Sequence, residues 1–188
     1  MCCLPSSFAI RLTGGLISWV EHWGSTAQER SLVYACDGFL PDAQQSLFRA
    51  ISVRASAAAL FPWLCQLKVA PYSYDWIDNL GRQSPGRLTP GCAELEVGQR
   101  FMFIFRLLDF ERDRQLTLLV QGPLLDLVLT YAILPAGEGC RLVAKLRVQY
   151  RRGPLGWLAR WVLPAGDLLM MRRQLLNFKE LAENTSRF

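Results

Sequence analysis

Between Arg141 and Glu183 the hydrophobic period of the chain changes within four residues, and that change restricts the fold more than any other feature. Up to Tyr150 the apolar residues alternate. Leu142, Ala144, Leu146, Val148 and Tyr150 share one face, while Arg141, Lys145, Arg147, Gln149 and Arg151 share the other, with Val143 the exception. A period of two with one polar side predicts a half-exposed strand of an antiparallel sheet, its basic ladder facing water. From Pro154, a residue suited to a first helical position, the spacing turns helical, with a stripe of Leu155, Leu158, Trp161 and Val162. Pro164-Ala165-Gly166 predicts a break. A second, long helix is then expected from Asp167 to about Glu183, with Leu168, Leu169, Met171, Leu175, Leu176, Phe178 and Leu181 apolar and Arg172, Arg173 and Lys179 wet. Such a helix needs an apolar partner, and the inner face of the sheet is the one large enough.

The preceding segments fit that sheet. Ser46–Arg54 reads as a first strand, and Ser56 as the N-cap of a helix over Ala57–Leu67, which Pro62 should kink or split. Further strands are expected at Glu94–Val97, Arg100–Leu108, Gln115–Gln121 and Leu127–Leu134, with turns at Gly98, Glu111–Arg114, Gly122-Pro123 and Ala136–Gly139. Residues 31–45 read as extended or looped. The loop Arg82–Cys92 holds two prolines and two glycines and is expected to be mobile. One strand, short helices, an antiparallel meander and a long helix make an α+β chain.

Composition removes several function classes. At 51% apolar and 20% charged residues the chain is globular, and no apolar run between Phe101 and Leu146 approaches a membrane span, so stable membrane insertion is not expected. Met1–Trp23 lacks the basic leader and cleavage site of a signal peptide, and its helical spacing over Ile10–Trp23 predicts a short amphipathic segment. Cys2-Cys3 reads either as a loose terminus or as an acylation site. Cys36, Cys65 and Cys140 stand in apolar surroundings with no Cys-x-x-Cys pair anywhere, which predicts reduced core thiols and a cytoplasmic protein. The net charge of +5 is concentrated after Arg141. A surface module using Arg141, Lys145, Arg147, Arg151 and Arg152 is one reading, but a solvated strand face is the simpler one, and no nucleic acid is expected. The sequence carries no signal of oligomeric state.

His22 is the single histidine, so neither a histidine metal cluster nor a Ser-His-Asp or Cys-His pair can be assembled, and no metal is expected. No phosphate-cradling or dinucleotide-binding motif occurs, so no cofactor is expected either. What remains lies in Tyr72-Ser73-Tyr74-Asp75-Trp76-Ile77-Asp78-Asn79. Three aromatics and several polar groups in eight residues suit the wall of a cavity, where aromatic surface meets a few oriented polar groups. One helical turn is expected from Asp75 to Leu80, closed by Gly81. Two roles are open for Asp75: a general acid or base raised by desolvation, or a cap on the turn that follows. Tyr72, Tyr74 and Tyr131 are candidate hydrogen-bond donors to a ligand. Trp63, Gln66, Trp76, Asn79 and Met171 complete the candidate lining, with core packing the alternative for Trp63 and Met171.

Trp23-Gly24-Ser25-Thr26, Arg49-Ala50-Ile51, Phe61-Pro62-Trp63-Leu64-Cys65-Gln66, Tyr72–Asn79 and Leu169–Leu176 together resemble the SRPBCC superfamily (START-like, polyketide-cyclase-like), and more narrowly a bacterial branch of it. The resemblance covers about residues 23–183. It departs at Ala35-Cys36-Asp37, where the branch carries Pro-Gly-Asp. It implies a helix-grip fold in a single domain, 23–188, behind an N-terminal extension, 1–22. It also implies a cavity between the long helix and the curved sheet that holds a hydrophobic or amphipathic small molecule, lipid- or polyketide-like. The alternative it implies is a cyclase or dehydratase in which Asp75 and the neighbouring tyrosines supply acid and base.

Overall fold

The computed structural model describes residues 18–185, so Cys2-Cys3 and most of the predicted Ile10–Trp23 helix lie outside the described residues, 18–22 being helical. Two short helices follow, α1 (Ala27–Ser31) and α2 (Ala35–Phe39), then strand β1 (Gln45–Val53). Helix α3 (Ala57–Cys65) runs into a 3₁₀ turn, Gln66–Lys68, and α4 (Asp75–Asp78) forms the short turn of the aromatic stretch. Strands β2 (Arg100–Phe101), β3 (Phe105–Glu111), β4 (Gln115–Gln121), β5 (Leu125–Ala136) and β6 (Gly139–Tyr150) come next, and helix α5 (Pro154–Thr185) follows them. All strand pairs are antiparallel, in the order β1-β6-β5-β4-β3-β2. A curved antiparallel sheet closed by one long helix is the helix-grip architecture.

The alternation read in the sequence builds the inner layer. Leu127, Leu129 and Tyr131 of β5 stand opposite Val148, Leu146 and Ala144 of β6, and with Leu47 of β1 and Leu116 and Leu118 of β4 they face α5. Helix α5 returns Met171, Leu175, Phe178 and Ala182 to that layer. Cys36, Cys65, Cys92 and Cys140 are buried, unpaired thiols. Among the described residues no helix is long and apolar enough to cross a membrane.

Five local expectations are corrected. Helix α3 runs unbroken over Pro62, which lies inside it, with Ser56 accepting from the Ala59 N–H as expected. Helix α5 likewise passes through Pro164 and Gly166 as one 32-residue helix. Glu94–Val97 is not a strand: Gln99 N donates to Glu96 O and Gly98 N to Leu107 O, a turn that feeds β2. The expected strand Arg100–Leu108 is interrupted after Phe101, where Met102 and Phe103 adopt φ of +44° and +63°. Residues 31–45 are not simply extended, because α1 and α2 lie across the outer face of the sheet.

That outer cover also corrects the reading of the basic ladder as a water face. Tyr34 and Cys36 pack with Phe48, Ala50, Val128, Ala132 and Val143 into a second apolar layer. Three cations of the ladder, Arg141, Lys145 and Arg147, find partners in the cover, while Arg151 pairs with Asp126 of β5. Arg141 grips both oxygens of Glu29 (2.7 and 3.0 Å). Lys145 Nζ lies 2.7 Å from Asp37 and about 5 Å from the ring centroids of Tyr34 (5.1 Å) and Phe48 (5.2 Å). Arg147 donates to the carbonyls of Leu40 and Pro41.

Candidate functional site

Between the concave face of the sheet and α5 lies a cavity of about 730 Å³, a size typical of small-ligand sites. Its floor is the alternating side of β5, Leu125, Leu127, Leu129 and Tyr131, with Val120 and Leu146 beside it. Its roof is α5, through Val162, Leu163, Gly166, Met170 and Met171. Phe103, Ile104 and Phe105 form one lip of the mouth, and Pro71, Ser73 and Asp78 the other. A strand presents alternate residues to one face, so the same periodicity that predicts the sheet makes this wall greasy.

The polar groups are few and mostly engaged. The Tyr131 hydroxyl donates to Gln174 Oε1, and Gln174 Nε2 donates to the Pro71 carbonyl at 2.6 Å. Burial, reinforced by the nearby Asp167 carboxylate, pushes the Tyr131 phenol well above its ordinary value, so it stays neutral at any physiological pH. Asp167 lies 2.8 Å from Arg49 on β1, yet burial drives its carboxyl up to about 6 against the pull of that guanidinium. The Ser73 hydroxyl donates to the Met170 carbonyl (3.1 Å). Asp78 differs from these. Burial raises its carboxyl above the usual range, with Ser73 opposing the rise, and its Oδ1 is buried without a hydrogen-bond partner. An unsatisfied buried acceptor at the mouth is the place where a ligand donor would gain most.

Of the sequence-predicted residues, Tyr131 and Met171 line this cavity and the others are not in its lining. The expectation that Asp75 faces a ligand is corrected. Its Oδ1 accepts from the Ser84 hydroxyl (2.5 Å) and its Oδ2 from the Ser84 N–H (2.8 Å), so both oxygens tie down the loop after α4. It is also not the side-chain cap of the turn; Tyr74 holds that position without a side-chain bond. Gly81 closes the turn as expected, at φ +78°, donating to Asp75 O. Tyr72 is not in the lining: it is buried, donates to Pro85 O (2.9 Å), meets Trp63 edge to face and packs at a tilt on Phe178. Trp63 is core, its Nε1 donating to Thr185 Oγ1. Gln66 binds the Thr89 N–H and carbonyl, and Asn79 Nδ2 donates to Arg82 O (2.6 Å). These amides hold the 82–92 loop against the domain. Tyr74 and Trp76 border a smaller apolar groove with Ile77, Leu169 and Met170, and Trp76 is 75% exposed.

Four polar lining residues were not singled out by sequence reasoning: Ser73, Asp78, Asp167 and Gln174. Gln174 had a legible signal, a lone amide inside the helical stripe Met171, Leu175, Phe178. Asp78 stood within the aromatic stretch without being singled out, and Asp167 had no signal, because only the packing of β1 against α5 desolvates it.

No family model matches the chain, and no curated protein is similar to it in sequence. Solved structures are similar in fold. The di-domain ARO/CYC StfQ from the steffimycin biosynthetic pathway aligns with 98% of this chain at 15% identity and a TM-score of 0.51, the match spanning 62% of StfQ. A structural-genomics protein of Chromobacterium violaceum aligns at 14% identity over 73% of this chain and 96% of its own (TM-score 0.47). Norcoclaurine synthase of Thalictrum flavum aligns at 10% identity over 75% and 95% (TM-score 0.46).

Proposed function

We propose that the protein binds a hydrophobic or amphipathic small molecule, lipid- or polyketide-like, in the cavity between sheet and α5. The observation that carries this reading is a largely apolar cavity of about 730 Å³ with a few polar groups in its lining, among them Tyr131, Gln174, Asp167 and Asp78. An apolar body against Leu127 and Leu129 would release water from both surfaces at about 25 cal/mol per Å². A hydroxyl or amide at its polar end would satisfy the open oxygen of Asp78. Native mass spectrometry of the protein from its native host tests this, with an apolar adduct expected at near-stoichiometric occupancy. Leu129→Trp, which fills the cavity, should abolish the adduct while the protein stays folded. A protein that emerges empty and also fails to take up the dye anilinonaphthalene sulfonate would defeat the reading.

A second reading is acid–base turnover of a poly-keto substrate, a class suggested by the likeness in fold to the ARO/CYC protein StfQ. The specific observation in its favour is Asp78, a carboxyl in the cavity lining that burial raises above its ordinary range. It replaces Asp75, whose oxygens are occupied by Ser84. Asp78→Asn separates the two readings: a carrier keeps its adduct, whereas an enzyme keeps binding and loses turnover.

A further inference from the structure

We propose that the first turns of α5 and the β2–β3 turn together form a docking face for an anionic membrane surface, with the cavity mouth between them. Leu155, Trp157, Leu158, Trp161 and Val162 are all exposed, Trp157 and Trp161 at 65% and 63%. The two indoles touch each other edge to face, their centroids 6.5 Å apart. Across the mouth, Phe103 and Ile104 are 64% and 68% exposed. The turn that presents them is left-handed at two successive non-glycine residues, Met102 and Phe103, a conformation that side chains resist. It is held by Met102 N donating to Leu67 O and Ile104 N to Met102 O. Phe103, Ile104 and Val162 also line the cavity, so both greasy lips border one opening.

Charge identifies the occupant. From Arg151 to Lys179 the chain carries six cations and a single carboxylate, Asp167, which is turned inward onto Arg49. Arg151 is paired with Asp126 and Arg172 lies over the Trp23 ring. Among the described residues, Arg152, Arg160 and Arg173 have no carboxylate partner. Glu21, which shares a hollow with Arg160 and Trp161, is bound by Gln45 Nε2 at 2.8 Å. Tryptophans beside unpaired arginines match the boundary between headgroups and acyl chains, where indole sits well and anionic lipid attracts cations. A second copy of the chain would instead bring these arginines toward their own counterparts. Docked in this way, the mouth opens on the acyl boundary, and an apolar molecule passes between bilayer and cavity without crossing water.

Flotation of the full chain with vesicles tests this, using phosphatidylcholine alone and an equal mixture with phosphatidylglycerol. Binding is expected to the mixed vesicles and to weaken with salt. Trp157→Ser with Trp161→Ser should reduce it more than about tenfold, and Arg152→Glu with Arg160→Glu by a similar factor. All four positions are exposed, so unchanged melting temperatures are expected and separate lost docking from lost fold. The proposal is overturned by absence of flotation at low salt, or by flotation that survives the tryptophan variant. It is equally overturned by a solution dimer that the tryptophan variant makes monomeric, since a second copy would then cover the face. Native mass spectrometry reads cavity occupancy separately, so docking and ligand binding fail or stand independently.

Discussion

Arg49 is fully buried, and its guanidinium is the pin between β1 and α5. Nη1 donates to Glu21 O and Phe48 O, and Nη2 donates to Pro164 O at 3.1 Å and lies 2.8 Å from Asp167. Burial lowers the guanidinium and raises the carboxyl of its partner to about 6. As pH rises through the range between an ordinary aspartate value near 4 and about 6, unfolded Asp167 has released a proton that the native state still holds. The contribution of this group to stability therefore falls with rising pH in that window. Glu29 has the opposite sign. Burial alone would raise it, but hydrogen bonds from Arg141 and the Thr26 N–H outweigh that and hold it low, so its contribution is lost as pH falls. Urea titrations at stepped pH should show that Asp167→Asn removes the falling component, at the cost of leaving Arg49 uncompensated, while Glu29→Gln removes the acid-side loss. A pH slope unchanged by Asp167→Asn would contradict the raised carboxyl. Arg49 was visible in the sequence as part of a motif, but its role was not. A lone arginine in a strand reads as a surface charge until the opposing helix is in place.

The elements that sequence reasoning resolved best are those that a single periodicity defines, and α5 shows where this stops. Its two expected segments are present, but the expected break between them is absent. Pro164 removes one donor from the helical ladder, yet it is buried against β1 and its carbonyl is bound by Arg49, so tertiary contacts carry the helix across. Local propensity was outvoted, as packing commonly outvotes it. The aromatic stretch failed differently. Its residues do stand beside a cavity, but the most conspicuous of them, Tyr72, Asp75 and Asn79, hold the 82–92 loop, whereas the less conspicuous Ser73 and Asp78 reach the lining. A one-turn helix points neighbouring side chains in different directions, and eight residues are too few to read that from sequence. Gly166 offers a direct test of the continuous helix. A Cβ there would meet nothing within 4 Å, and alanine is favoured over glycine inside a helix by about 1 kcal/mol. Gly166→Ala is expected to raise the urea midpoint by about that stability. A destabilised variant would mean that the 164–166 segment is not helical.

At the scale of the molecule the sheet works with two covers, and only one was anticipated. The inner cover, α5, leaves the apolar cavity of about 730 Å³, whereas the outer cover, α1 and α2, joins an apolar layer to a set of charge pairs. Asp37 is central to that difference. It accepts from the Tyr34 N–H at 2.8 Å, lies 2.7 Å from Lys145 Nζ and sits 3.6 Å from Arg147 Nε. The resemblance flagged this position by its departure, Ala35-Cys36-Asp37, in which the aspartate alone of the Pro-Gly-Asp pattern persists. The alternating ladder Arg141, Lys145, Arg147 looked solvated because its partners lie about a hundred residues away, beyond any local pattern. Asp37→Asn keeps the shape and the cap but leaves Lys145, whose side chain is only 8% exposed, without a counter-charge. Breaking a buried pair from one side costs about 3–5 kcal/mol, so a loss toward the lower end of that range is expected in urea denaturation. Faster amide hydrogen exchange is expected across residues 27–40, and new retention on heparin as the ladder opens to solvent. The wild-type protein should show that retention only weakly, since three of its cations are already answered from within. Strong heparin binding by the wild type, unchanged in Asp37→Asn, would mean that the outer layer does not neutralise the ladder. Burial of the ladder also removes these three cations from the basic surface, to which the exposed Arg152, Arg160 and Arg173 still contribute. The internal charge pairs close the outer side of the sheet, and the proposed ligand cavity and docking face both lie on the other side.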